Sequence, residues 1–421
     1  MKRLLFLLVA ALLVSPAFAT PVVEEDITEI TILSGATYEG TEQFRYAVDR
    51  FHEDFPTVEV RALPLDLSTG SSMTMQALDQ AGLAPNAYWD YIGRVAEYTL
   101  PGYALPLDDY IRNLDQFNDG VLDPYRQDGV LYAIPDGSQC NGMAINLDIM
   151  EDIGYTVPDN WTIDDFLEMC ELVKQFYGGE KWGTMMYAKT MSGDYMINTF
   201  WGSFGAEMYD HGDFSRTTIR ETGGVKTHEF YQTLMRNGYI PPNSATLSDG
   251  ESFGMWGMGK FAAVPFFPGW VEMYQKQGVD KGFDKFDVTF IEFPTATGKP
   301  VPVYATGVSS MVRKTGTYAD VMAARFVEYL TDAGAQAIVT RLVGVPSNRK
   351  DSILESPDPF QAQTGALAAA YGIQDVGLTN PLYSAVRAQH VIVLRQLLNF
   401  ELTPEESILL YEQLVNEALA Y

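Results

Sequence analysis

The chain is poor in the side chains that do chemistry at neutral pH. Its 421 residues include four histidines and two cysteines. His52, His211, His228 and His390 are scattered, none at the spacing of an HExxH zinc site, and no CxxC pair exists. A GxSxG nucleophile elbow, a P-loop and a GxGxxG turn are all missing. The glycines of FGMWGMGK have the wrong spacing for a phosphate cradle. Basic residues are scarce too: 28 Lys and Arg face 55 Asp and Glu, for a net charge of −27. Such a surface repels nucleic acid and anionic lipid headgroups. With so many acids, paired carboxylates must occur, so they do not point to a glycosidase. No catalytic residue, metal or cofactor is expected. Cys140 and Cys170 are too few for a disulfide framework. One bridge, or two separate buried thiols, fits them.

Long apolar runs are also absent beyond the N-terminus. Residues 1–19, MKRLLFLLVAALLVSPAFA, have the three parts of a secretory signal: basic Lys2 and Arg3, the run Leu4 to Val14, and a small-x-small site at Ala17-Phe18-Ala19. The run is too short to span a bilayer. No cysteine follows it, so a cleaved, unlipidated, periplasmic protein is expected. Removing Lys2 and Arg3 leaves 26 basic residues and a net charge of −29. Roughly 400 mature residues favour two lobes over one core.

What is present is α/β patterning. Ile27 to Leu33 alternates as a strand. Phe44, Ala47, Val48, Phe51 and Phe55 then form one helical stripe, stopped by Pro56, and Val58 to Leu63 is the next strand. Strand, helix, strand at this spacing implies a parallel pair. Ligands of such sheets sit beyond the carboxyl ends of the strands. Tyr38 and Glu39 occupy the loop there. Further on, Thr162 and Asp165 predict a capping box before the helical run Ile163 to Val173, and Thr403-Pro404-Glu405-Glu406 predicts another. Val301 to Val312 reads as strands, and Tyr318 to Leu330 as a helix.

Aromatic residues are abundant, 53 in all. Several read as members of Gly-rich loops: Trp89 and Tyr91 in NAYWDYIGR, Trp201 in NTFWGSFG, and Trp256 and Trp270 in GMWGMGKFAAVPFFPGW. Aromatic platforms with a few polar groups suit a sugar, whose C–H face stacks while its hydroxyls hydrogen-bond at the edge.

Four passages in order resemble the extracellular solute-binding proteins of bacterial ABC importers, the group that includes maltose-binding protein. They are PNAYWDYIGRVAEYTLPGYALPLDDYI, then GVLYAIPDGSQCNGMAINLDI, then Phe253 to Trp270, then TGVSSMVRKTGTYADVMAARFVEYLTDAGAQ closed by GVPSNR. The downstream TNPLYSAVRAQHV resembles a helix whose aromatic and arginine face the cleft. The resemblance implies a two-lobed, type II periplasmic-binding-protein-like α/β fold. Each lobe would be a mainly parallel sheet flanked by helices. The first lobe would take 20–138 and 296–331 and the second 142–290 and 335–421, with crossings near 137–141, 291–296 and 331–335. It also implies capture of a small solute between the lobes and delivery to an inner-membrane permease, by a monomer. Arg94, Gln139, Asn141, Tyr383 and Arg387 join the candidate ligand contacts, and Trp270 becomes the leading stacking candidate. Gln139 stands where the maltose-binding branch has a sugar-binding carboxylate, so a ligand other than maltose is expected. A carbohydrate, as an oligosaccharide, fits best. A charged solute (phosphate ester, sugar acid or polyamine) and a secreted polysaccharide-degrading enzyme are the alternatives.

Overall fold

The structure is a computed structural model that describes residues 27–35, 40–65, 78–91, 95–99, 102–191, 194–210, 213–343, 347–352, 359–374, 376–377 and 380–420. Its strands in chain order are β1 (Glu29–Gly35), β2 (Glu59–Leu65), β3 (Ala87–Tyr91), β4 (Arg126–Gln127), β5 (Val130–Leu131), β6 (Ala133–Cys140), β7 (Gly142–Asn146), β8 (Ala263–Phe266), β9 (Val288–Ile291) and β10 (Ala305–Val312). They form a sheet of order β2-β1-β3-β10-β6, a second of order β8-β7-β9, and the small β4-β5 pair.

Each of the two main sheets has its own hydrophobic core, which makes the molecule two-lobed. The predicted apolar stripe forms the helix Glu42–Asp54, capped by Thr41. Phe44 and Phe51 on that stripe pack edge-on against Phe326 of the helix Tyr318–Leu330, which follows the predicted limits. This core fills the first lobe. In the second lobe the capping box of Thr162 and Asp165 starts the helix Ile163–Tyr177, and its Phe166 stands edge-on to Trp161 and Phe200. The box of Thr403 and Glu406, with Pro404 inside it, starts Pro404–Leu419. Among the described residues no helix is long and apolar enough to cross a membrane.

In the first sheet β1 runs parallel to β2 and β3, as the strand-helix-strand spacing implies, while β10 is antiparallel to its neighbours β3 and β6. The second sheet departs from the expected mainly parallel form. Both of its pairings are antiparallel. β6 and β7 form one extended path broken only at Asn141, and β7 runs against both β8 and β9.

Two expectations about chain assignment change. Val301, Val303 and Tyr304 pack in the second core, and only Ala305–Val312 is strand. This pass therefore changes lobe at Tyr304–Ala305 rather than at 291–296. Residues 333–343 and 347–352, expected mostly with the second lobe, lie on the first. The Ala333–Val343 helix packs on Glu42–Asp54 and β6, and Arg341 pairs with Glu42 at 2.6 Å. Asn118 N–H donates to the Asn348 carbonyl at 2.8 Å. Both cysteines are free, with Cys170 buried and Cys140 half-buried.

The aromatics expected in Gly-rich loops lie on regular elements: Trp89 and Tyr91 on β3, Trp201 in Asp194–Ser203, Trp256 in Asp249–Gly257 and Trp270 in Pro268–Asp280, with several glycines among them. Their glycines serve close packing. A Cβ at Gly257 would lie 1.9 Å from the Tyr274 carbonyl oxygen, and one at Gly278 would lie 2.0 Å from the Gly257 oxygen. The two helices cross backbone to backbone there.

Candidate functional site

The crossing between lobes is built around Asn141. Its N–H donates to the Tyr304 carbonyl at 2.9 Å, and its Oδ1 accepts from Tyr304 N–H at 2.8 Å. Its Nδ2 donates to Thr199 Oγ1 at 2.9 Å. Asn141 is fully buried. It ties the two interlobe passes to each other, so the expectation that it contacts ligand is corrected to a structural role.

Gln139, two residues earlier on β6, differs. It is half-buried, and its Oε1 is buried with no hydrogen-bond partner among the described residues. An unpaired buried acceptor costs about 1–3 kcal/mol. It is a natural receptor for a hydroxyl donor.

Trp89 lies on β3 of the first lobe, half-buried, and its Nε1–H donates to the carboxylate of Asp136 on β6. Asp136 is 1% exposed, and its other oxygen accepts from Ser310 Oγ at 3.2 Å. Burial pushes its carboxyl up to about 8, against the pull of these two hydrogen bonds. No candidate from the sequence included Asp136. The available signal was an acid flanked by Pro135 and Gly137 within a strand, a composition that marks bulges.

Trp270 sits in the first turn of Pro268–Asp280, half-buried, against Phe267, Phe253 and Phe266 with ring centroids 5.1, 5.5 and 6.1 Å away. Phe267 in turn meets Tyr304 at 6.3 Å. A continuous path of contacts thus runs from Trp89 through Asp136 and the β6 strand to Asn141, Tyr304, Phe267 and Trp270, from one lobe to the other.

Trp201 and Trp256 do not belong to this path. Trp256 is fully buried against Phe286 and Phe266, and Trp201, 2% exposed, packs against His390 and Tyr411. Both are core residues, which corrects their expected role as platforms. Local sequence did not show which way these rings face.

Tyr383 opens the Tyr383–Leu398 helix and is buried in the second core. Arg387, one turn on, is half-buried, and its Nη2 donates to the Met191 carbonyl at 2.7 Å. Beside them the lobes meet directly. Ser384 N–H donates at 3.1 Å to a carboxylate oxygen of Glu97, from the first-lobe helix Val95–Thr99. A carboxylate at the amino end of a long helix is favoured by the helix dipole. Glu97→Ala is expected to loosen this contact. Small-angle scattering of the ligand-free protein should then give a larger radius of gyration, and an unchanged radius would contradict the latch.

Tyr91 is on β3. Tyr38, Glu39 and Arg94 lie outside the described residues. Among the described residues no group of three His, Cys, Asp or Glu gathers to hold a metal ion.

Solved structures share this architecture. The GacH receptor of Streptomyces glaucescens, solved unliganded and with acarbose, is similar at 16% identity and TM-score 0.76, over 94% of this chain and 99% of its own. A solute-binding protein of an ABC transporter from Thermotoga lettingae, bound with α-D-tagatose, matches at 18% identity and TM-score 0.78, over 93% and 100%. A substrate-binding protein of Listeria monocytogenes in complex with cycloalternan matches at 18% and 0.76, over 94% and 100%. No curated protein matches the chain in sequence. The family description "bacterial extracellular solute-binding protein" matches residues 46–369, which is most of the chain, and the chain belongs to that family.

Proposed function

We propose that the protein binds a carbohydrate, as an oligosaccharide, between its lobes and delivers it to an ABC permease in the inner membrane. It acts as a monomer and catalyses nothing. It works in the periplasm after removal of residues 1–19, without a lipid anchor. The first lobe comprises residues 20–140, 305–331 and 333–352, and the second 142–304 and 359–421.

The observation that carries this reading is the buried, unpartnered Oε1 of Gln139, on the strand that joins Trp89 to the lobe crossing. A neutral amide acceptor near aromatic faces fits a polyhydroxylated, two-faced molecule. Trp89 and Trp270 are the platforms, one from each lobe. Gln139 and Arg387 supply hydrogen bonds at the edges, and Tyr38, Glu39, Tyr91, Arg94 and Tyr383 complete the candidate set. A solute touching both lobes favours closure, because both sets of contacts exist only in the closed state. The three structural relatives described above have sugars or sugar-like ligands in their complexes, which supports the same class.

Titration calorimetry tests the stacking role. Trp270→Ala is expected to weaken oligosaccharide binding about tenfold, or about 1.4 kcal/mol. Affinity equal to wild type would remove Trp270 from the site.

A further inference from the structure

The β6–β10 pairing contains an irregularity next to the crossing. Gly137 pairs with Val308 and Pro135 with Ser309, so Asp136 is an extra residue with no partner across the ladder. A bulge of this kind re-aims one side chain. Here it turns a carboxylate into a fully buried position where each oxygen meets its own donor, Trp89 Nε1–H on one and the Ser310 hydroxyl on the other. Ser310 also lies directly opposite Trp89 in the β3–β10 register, so three strands converge on one carboxylate. The bulge is held from behind as well. Gln336 Nε2–H donates to the Asp136 carbonyl, and Gln336 Oε1 accepts from Asn348 N–H at 3.0 Å.

We propose that Asp136 is a positioning residue for solute binding: the bulge aims its carboxylate at the Trp89 indole and fixes the plane of that ring toward the solute. This rests on the reading of Trp89 as a ligand platform. The physical basis is the penalty for rotation. Turning the ring would take the N–H away from a carboxyl oxygen of a residue that is only 1% exposed, leaving that acceptor buried and unpaired. A bulge that served folding alone would be satisfied by an apolar residue, and a buried acid would be a costly choice. Gln139 lies three residues further along β6, so the group that holds the ring and the edge acceptor share one strand.

The test uses the full mature protein with 15N-labelled tryptophan. Its six tryptophans give one indole N–H signal each, and that of Trp89 is assigned by its loss in Trp89→Phe. Asp136→Leu removes the acceptor at similar volume, and Asp136→Asn keeps one and guards against a folding defect. The probes are maltotetraose, chitotetraose and cellotetraose. In Asp136→Leu the Trp89 proton is expected to move upfield while the other indoles stay in place. Affinity for whichever sugar binds should fall about tenfold, and Asp136→Asn should restore most of both. An unmoved Trp89 signal in both variants overturns the proposal. If the signal moves but affinity does not, Trp89→Phe separates the causes. Lowered affinity there overturns the role of Asp136, whereas unchanged affinity there overturns Trp89 as a platform.

Discussion

Replacing His390 with phenylalanine is expected to stabilise the protein at neutral pH, and to stabilise it more as the pH falls. His390 is 1% exposed in the second core, in contact with the rings of Trp201 and Tyr411 and 6.1 Å from His228. Among the described residues neither of its ring nitrogens has a hydrogen-bond partner, and neither does His228 Nε2. Phenylalanine keeps the ring and removes two unpaired polar atoms, a change that is often stabilising. Burial lowers His390 to about 3, and burial together with the nearby His390 puts His228 well below its usual value. The unfolded chain regains a proton near pH 6.5, whereas the folded chain refuses it down to about 3. Between those values the unfolded state binds more protons, so stability is lost as pH falls. The slope is about 1.4 kcal/mol per pH unit for one histidine. At pH 4.5 the variant should therefore lead wild type by about 2–3 kcal/mol more than it does at pH 7. The titrating groups away from this pair are common to both proteins and cancel in the difference, and burial, the larger cause of the lowered His228, is retained in the variant. Urea denaturation of both proteins at pH 7, 5.5 and 4.5 measures this. Parallel pH dependence would show that His390 is solvated.

The second large effect is at Gly257, where alanine is expected to cost about 3 kcal/mol. The added methyl group would meet the Tyr274 carbonyl at 1.9 Å, and that neighbour is backbone, which cannot rotate away. Relief would require the Asp249–Gly257 and Pro268–Asp280 helices to separate. Trp270 belongs to the second of these, so solute binding should weaken together with stability. Gly254 is the control: it lies one turn earlier in the same helix, and a Cβ there meets nothing within 4 Å. Gly254→Ala should be stabilising by about 0.5–1 kcal/mol. Equal midpoints for the two variants in thermal denaturation would contradict close helix approach as the reason for Gly257.

These glycines also show where the sequence was legible and where it was not. The signals that survived are local. The capping boxes at Thr162 and Thr403 and the apolar stripe beginning at Phe44 need only a few consecutive residues to be recognised. Gly257 was read as a loop residue because the need for it is tertiary, set by a contact with the backbone around Gly278 that a one-dimensional pattern does not carry. Trp201 and Trp256 failed for a related reason. Aromatic content shows that rings are present, but only packing decides whether a ring faces core or cleft. The crossing near 137–141 carried a readable strand-polar-strand pattern, whereas the change of lobe at Tyr304–Ala305 had none. Asp136 was missed because a bulge depends on register with β10, about 170 residues away.

The central claim is that a neutral oligosaccharide is the solute. A thermal-shift screen over neutral oligosaccharides, sugar acids, polyamines and phosphate esters tests it most directly. A neutral oligosaccharide at about 100 times its dissociation constant is expected to stabilise the fold by roughly 2.7 kcal/mol and to raise the melting temperature accordingly. A shift produced by a phosphate ester or a polyamine, with none from any neutral sugar, would contradict it.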